Sequence, residues 1–308
     1  MADLRSAPSS PKPGAHISGW LDGAIGMLIF SASLPATRVA VMGFDPLFLT
    51  FARAAIAGLL AGALLLARRT ARPKRSDIIG LIIVGGGVVI GFPLLTALAL
   101  RHATSAHATV FLGLLPLSTA VFGVVRAGER PTPIFWLFAA AGATLVAGYA
   151  QFKGGGALSP ADGLMMAAIL VCGLGYAEGG RLSRRLGGLE VIAWSLVICL
   201  PLMGGLAISL RPTSLQGVGW PALAGLAYVS VFSMLVGFVF WYRGLARGGV
   251  AAVGQLQLVQ PLFSLILAAA LLHEAVGADA LIVLLGVIAC VAGARHFAAP
   301  ANTRQPER

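Results

Sequence analysis

The residues of this chain that could do chemistry are few, and they stand at spacings suited to binding, not to bond making. Arg53 lies inside the apolar run 46–67. A guanidinium in hydrocarbon costs roughly 2.5–3.5 kcal/mol on insertion scales, so it faces a bundle interior or a wet cavity, or snorkels to a nearby surface. In a cavity wall it would hold a substrate carboxylate, a phosphate or a partner glutamate. About two turns below the end of its helix, it could equally snorkel. Gln255, Gln257 and Gln260 crowd the run 250–272. At about 100° per residue, Gln257 and Gln260 share a face and Gln255 points elsewhere. An unpaired amide in hydrocarbon is costly, so the shared face either lines a cavity or bonds between helices. Trp194 and Tyr176 lie deep enough in their runs to stack on a ligand or to pack.

The titratable candidates are two. Glu178 precedes Arg181 and Arg184 and reads either as an interfacial ion pair or as a proton-coupling carboxylate. His107, one turn into its run, reads as a hydrogen-bonded side chain or a proton carrier. Asp22 and Asp162 open their runs beside glycines, as helix caps do. Pro116 and Pro261 fall in the middles of two runs, where a proline removes a backbone hydrogen bond; the resulting kink is a hinge or a static bend. The glycines 85–87 with Gly91 suit close helix contact. No HExxH, no paired intramembrane aspartates and no Walker motif is present, so neither an enzyme nor a nucleotide-driven pump is expected. Cys172, Cys199 and Cys290 lie in apolar runs at no metal-ligand spacing, and neither a cofactor nor a metal is implied.

These residues must be positioned by a chain that water cannot cover. Of 308 residues, 58% are hydrophobic and 11% charged, and the mean hydropathy is +0.89. Soluble domains run at about 45–50% and about 25%. A soluble enzyme and a disordered chain are both excluded. The expected class is an all-α integral membrane protein. Ten apolar runs are long enough to cross a bilayer: 17–37, 46–67, 77–98, 105–125, 133–151, 162–180, 189–210, 219–241, 250–272 and 278–296. They are continuous and do not alternate, which argues against a barrel.

The net charge of +11 would suggest nucleic acid in a soluble chain. Here the basic residues sit in short loops, where they set orientation instead. With the N-terminus inside, the cytoplasmic segments hold Arg68, Arg69, Arg72, Lys74, Arg75, Arg181, Arg184, Arg185, Arg243 and Arg247 among others. The outer segments hold Arg38, Arg101, Lys153 and Arg211, and Arg53 is left within a helix. Both termini are therefore expected in the cytoplasm. Residues 1–16 and 297–308 are polar tails.

The chain also repeats itself. Asp22-Gly23 recurs as Asp162-Gly163, and Leu115-Pro116-Leu117 as Gln260-Pro261-Leu262. Glu129 follows Pro116 at the spacing at which Glu274 follows Pro261. Two copies of a five-helix unit are expected, 17–151 and 162–296, joined by an extracytoplasmic linker at 152–161. Five is odd, so the second copy enters the membrane from the opposite side. Inverted repeats of this kind are the usual architecture of secondary transporters.

Asp45-Pro46-Leu47-Phe48 followed by Phe51-Ala52-Arg53 resembles the start of the second helix in EamA-type permeases of the drug/metabolite transporter superfamily. Ala99-Leu100-Arg101-His102, Pro116, Gly128-Glu129-Arg130, Gly142 and Gly148 are similar to that family's first repeat. Gly244-Leu245-Ala246-Arg247, Pro261, His273-Glu274, Gly286 and Gly293 are similar to its second. The chain departs from the pattern at His273, where the family usually has glycine, and at Ser195, which stands opposite Arg53 in the repeat. The resemblance implies ten helices, cytoplasmic termini and carriage of small metabolites across the bacterial inner membrane. It implies no single substrate, since members handle amino acids, other metabolites or toxic compounds.

The expected function is secondary transport of a small metabolite or xenobiotic by alternating access, in the export direction. The alternative is a channel-like or non-transporting membrane protein. Partners are a small-molecule substrate and the lipid bilayer, with a homodimer as one form of assembly and no nucleic acid. Substrate-binding candidates are Arg53, Gln257, Gln260, Trp194 and Tyr176; hinge candidates are Pro116 and Pro261; proton-coupling candidates are Glu178 and His107.

Overall fold

The computed structural model describes residues 13–115, 117–119, 121–122, 133–153, 159–214, 217–248, 256–257 and 259–297. Among the described residues every regular element is helical. In chain order they are α1 (Pro13–Ser31), α2 (Ser33–Val41), α3 (Pro46–Ala67), α4 (Arg75–Val84), α5 (Phe92–Ala99), α6 (Ser105–Leu112), α7 (Pro133–Lys153), α8 (Pro160–Leu186), α9 (Gly188–Ser209), α10 (Trp220–Ala227), α11 (Gly237–Gly248), α12 (Gln260–Leu272) and α13 (Ala278–Phe297). Among these residues six helical stretches are long and apolar enough to cross a membrane: Ser18–Val41, Pro46–Ala67, Arg75–Ala99, Pro160–Ser183, Gly188–Ser209 and Trp220–Gly244. A chain with that many lipid-length apolar helices is an integral membrane protein.

Local chemistry sets where the helices begin. Asp45 caps α3, its carboxylate accepting the N–H groups of Leu47 at 2.8 Å and Phe48 at 3.4 Å. Pro46 follows it at the helix start, where a missing N–H is harmless. At α8, Ser159 and Asp162 form a capping box, and Pro160 takes the first position. Asp22 does not cap a helix. It lies within α1 and pairs instead with Arg243 and Arg247 of α11. Its adjoining glycine serves helix packing, so the dipeptide misleads as a start signal.

Two helices carry a π-helical stretch that sequence pattern does not reveal. Gly85–Gly91 joins α4 to α5, and Tyr228–Val236 joins α10 to α11. Long π segments are rare and gather at functional sites. The first is pressed against α8: a Cβ on Gly87 would fall 2.5 Å from the Val171 carbonyl and 2.9 Å from Gly175 Cα.

Pro261 is not in the middle of a helix. α12 begins at Gln260, after a short 3₁₀ turn at 256–257, and Pro261 stands in its first turn. There proline breaks no helical hydrogen bond. Pro116 lies outside the described residues. α12 ends at His273, whose φ of 53° is left-handed. That is the conformation glycine adopts freely and other residues adopt at a cost of roughly 1–2 kcal/mol. The backbone thus explains why glycine is usual at this position.

The helices pair across the two halves of the chain. α1 packs along α11, α2 on α10, α3 on α9, α5 with its π segment on α8, α6 on α12, and α7 on α13. Glu274 ties one such pair. It accepts Ser105 N–H at 3.1 Å, Ser105 Oγ–H at 3.0 Å and Ala106 N–H at 2.8 Å at the start of α6. A carboxylate at a helix N-terminus stabilises it by about 0.5–2 kcal/mol. Glu274→Ala is expected to lower the unfolding temperature in detergent by a few degrees, and Glu274→Gln by less. Equal melting of all three proteins would show that the contact carries no stability.

Candidate functional site

The centre of the helix bundle holds a cavity to which most of the inner helices contribute. Ser33, Leu34 and Thr37 come from α2, and Arg53 from α3. Val88 comes from the first π segment, and Phe92, Pro93 and Thr96 from α5. Cys172 and Tyr176 come from α8, Ser233 and Met234 from the second π segment, Phe238 from α11 and Gln260 from α12. The free space is about 30 Å³, room for water but not for a metabolite.

Arg53 is the cation of this cavity. It is 5% exposed, so it does not snorkel. Its Nη2 donates to Ser233 Oγ at 3.3 Å, and its Nε–H has no partner among the described residues. Ser233 also bonds Ser33, the two Oγ atoms lying 2.7 Å apart. One small polar group therefore joins α2, α3 and the second π segment. Along the wall, Phe30 meets Phe238 edge-on at 4.8 Å, and Tyr176 meets Phe238 at 6.0 Å.

Of the residues singled out from sequence, Arg53, Tyr176 and Gln260 come together at the cavity. Gln257 is buried in the short 3₁₀ turn at 256–257, ahead of α12, and is not among the cavity-lining residues. Trp194 is half-buried and packs against the hydrophobic core, away from the cavity lining. Glu178 is fully buried and held by Arg181, whose Nε–H donates to Oε2 at 3.1 Å. His107 Nε2 lies 2.6 Å from Asp162 Oδ1, and its ring stacks on Tyr149 at 5.4 Å. That pair lines a separate, open pocket with His102, Thr104 and Ser159.

Ser33, Thr37, Thr96 and Ser233 escape a reading of the sequence. Hydroxyls in apolar helices commonly bond their own backbone, as Thr96 does to the Phe92 carbonyl at 2.8 Å. Nothing in their spacing sets them apart. Ser195, opposite Arg53 in the repeat, is fully buried and donates to the Leu81 carbonyl at 3.1 Å. The two halves are thus unlike at this position, and the cation is supplied by one of them.

Three further acidic side chains are ion-paired. Asp22 accepts from Arg243 at 2.6 and 2.9 Å and from Arg247 at 3.0 Å. Asp77 pairs with Arg185, and Asp45 with Arg101 at 3.7 Å.

Comparison with known proteins gives the following likenesses. The family model described as the EamA-like transporter family matches residues 17–148 and again 159–295. "Uncharacterized transporter YdeK" of Bacillus subtilis is 64% identical over 281 residues, covering 91% of this chain and 98% of the relative. "Probable terminal-alkyne amino-acid exporter" of Streptantibioticus cattleyicolor is 24% identical, covering 76% of this chain and 79% of its own. A solved structure titled "Crystal structure of protein" superposes with a TM-score of 0.62 at 23% identity, covering 91% of this chain and 96% of that one, a likeness of fold.

Proposed function

The chain belongs to the EamA-like transporter family and is a multi-pass membrane transporter; from that premise we propose that it is a secondary transporter which exports a small metabolite or xenobiotic across the cytoplasmic membrane by alternating access. The observation that carries this reading is the narrow cavity lined from both halves of the chain, with Arg53 in its wall. Secondary transporters built from inverted repeats bind their solutes between the repeats, and a narrow cavity lined by both halves supports that reading.

The helix pairing supports an inverted arrangement of ten helices, 17–151 against 162–296. Exchanging the halves turns the α1–α11 pairing into the α8–α5 pairing and leaves α3–α9, α6–α12 and α7–α13 in place. Ten helices put both termini on one side, and the basic-residue pattern supports the cytoplasm as that side, with 152–161 outside. In this reading Arg53, Tyr176 and Gln260 contact the solute. Export is the direction named for the Streptantibioticus relative. The protein does no chemistry on what it carries.

The test compares metabolites inside and outside cells expressing the wild type, Arg53→Ala at equal membrane level, or neither. A compound depleted inside by the wild type and restored by Arg53→Ala is expected, with flux reduced about tenfold for each 1.4 kcal/mol of lost binding. A shift equal in both expressing strains would remove Arg53 from the path. Flux that only follows a gradient downhill would favour a channel.

A further inference from the structure

The charge balance around the cavity bears on what it accepts. Among the described residues Arg53 is buried, keeps one weak hydroxyl partner and has an unpartnered Nε–H. Arginines that are ion-paired find their carboxylates elsewhere: Arg243 and Arg247 at Asp22, Arg185 at Asp77, Arg181 at Glu178 and Arg101 at Asp45. Among the described residues no carboxylate lines the cavity or forms an ion pair with Arg53. Its remaining polar atoms belong to Ser33, Thr37, Thr96, Tyr176, Ser233 and Gln260, all uncharged. A lone cation in a low-dielectric space attracts one negative charge and repels a second positive one. The rest of the wall is aromatic and aliphatic, with Phe30, Phe92 and Phe238 prominent. Such a wall suits an apolar body.

Building on the transport reading, we propose that the cavity takes small organic monoanions: a carboxylate, or a head group of similar charge, seated on Arg53, carried on an apolar body lying against the phenylalanines. Organic cations are excluded by the same charge. The guanidinium supplies paired donors to a planar anion, and Tyr176, Ser233 and the Gln260 amide supply further hydrogen bonds to its oxygens.

The test uses probes that share a ring and differ in head group: phenylacetate, phenylethanol and phenethylammonium, with sodium chloride as an inorganic anion. Their effect on thermal unfolding of the purified full chain in detergent gives apparent affinities. Phenylacetate is expected to bind at least about tenfold more tightly than phenylethanol, and phenethylammonium not to bind. Arg53→Gln should abolish the advantage of the anion, and Arg53→Lys should keep part of it. Should Arg53→Gln not fold, Arg53→Lys and the head-group order in the wild type still decide the matter. The proposal is overturned if the ammonium binds as well as the carboxylate, if Arg53→Gln binds phenylacetate like the wild type, if chloride alone gives the whole shift, or if no probe binds. Anion binding without flux in reconstituted vesicles would remove transport and keep the site. Flux of a cation or neutral solute without anion binding would keep transport and remove this substrate class.

Discussion

Gly244→Leu will leave no correctly folded protein in the membrane. Gly244 lies where α11 crosses α1, a pairing that runs along most of both helices. A Cβ there would fall 2.6 Å from Gly23 N, 2.8 Å from Gly23 Cα and 3.0 Å from the Gly19 carbonyl. These are backbone atoms, which have no rotamer to move to. One turn away the approach is as close from the other side, since a Cβ on Gly26 would lie 2.8 Å from Trp241 N. Membrane helices gain little from the hydrophobic effect against each other and depend on close packing of small residues. Extra methylenes in a packed core cost typically about 1–3 kcal/mol. Leucine adds a whole side chain against main chain, so that range is a floor, against a total stability of about 5–15 kcal/mol. Separation of α1 from α11 also draws Asp22 away from Arg243 and Arg247. The measurement is the elution profile of a fluorescent fusion solubilised from membranes, beside Gly148→Leu. Gly148 has open space where the new side chain would go and should tolerate it. A Gly244→Leu protein eluting and melting like the wild type would mean that the α1–α11 crossing is not the tight seam described.

Much of the fold is written in local signals, and much of the site is not. α3 occupies 46–67 because Asp45 and Pro46 fix its start and an unbroken apolar run extends it. The burial of Arg53 is another matter. Its chain neighbours are apolar whether it faces a cavity or the bilayer, and its hydroxyl partner Ser233 is 180 residues distant. Only the tertiary arrangement distinguishes the two readings. Asp22 shows the same limit in reverse, since the arginines it meets lie 221 and 225 residues away. The π segments have no signature in composition, because the glycines and valines of the first and the apolar residues and serines of the second would also serve a membrane α-helix. Gln257 and Gln260 share a face only if one helix carries both, and the chain turns between them. His273 stands out in the sequence as a departure from the family's pattern, while the reason glycine is usual there, a left-handed backbone, is seen only in the structure.

Joining Ser33 to Ser233 by a disulfide will stop flux, and reduction will restore it. The two Oγ atoms are 2.7 Å apart, which brings their Cβ atoms near the separation of about 3.5–4.5 Å that a disulfide spans. Both residues line the central cavity. Ser33 belongs to α2 in the first half of the chain and Ser233 to the π segment in the second. If a solute enters by movement of one half against the other, this contact must open in each cycle, and a covalent bond across it holds the cavity closed. Cys172 lines the same space and Cys199 and Cys290 are free, so the pair Ser33→Cys and Ser233→Cys is placed in a background where all three are alanine. Each single variant should be indifferent to oxidant, which separates the cross-link from damage to the site. Loss of flux in the double variant, reversed by a thiol, with cross-linking verified by labelling of the remaining thiols, is the expected result. Full flux through a verified cross-link would show that the halves do not part here. The moving boundary would then have to lie elsewhere. The first π segment would be the next place to look, because it faces the same cavity through Val88 and presses Gly87 against α8. A π segment holds its helix in a register that a shift to α geometry would change by rotating everything beyond it. In the second segment such a rotation would carry Ser233 away from both Ser33 and Arg53, so the disulfide also tests whether the π geometry must be released for the cavity to open.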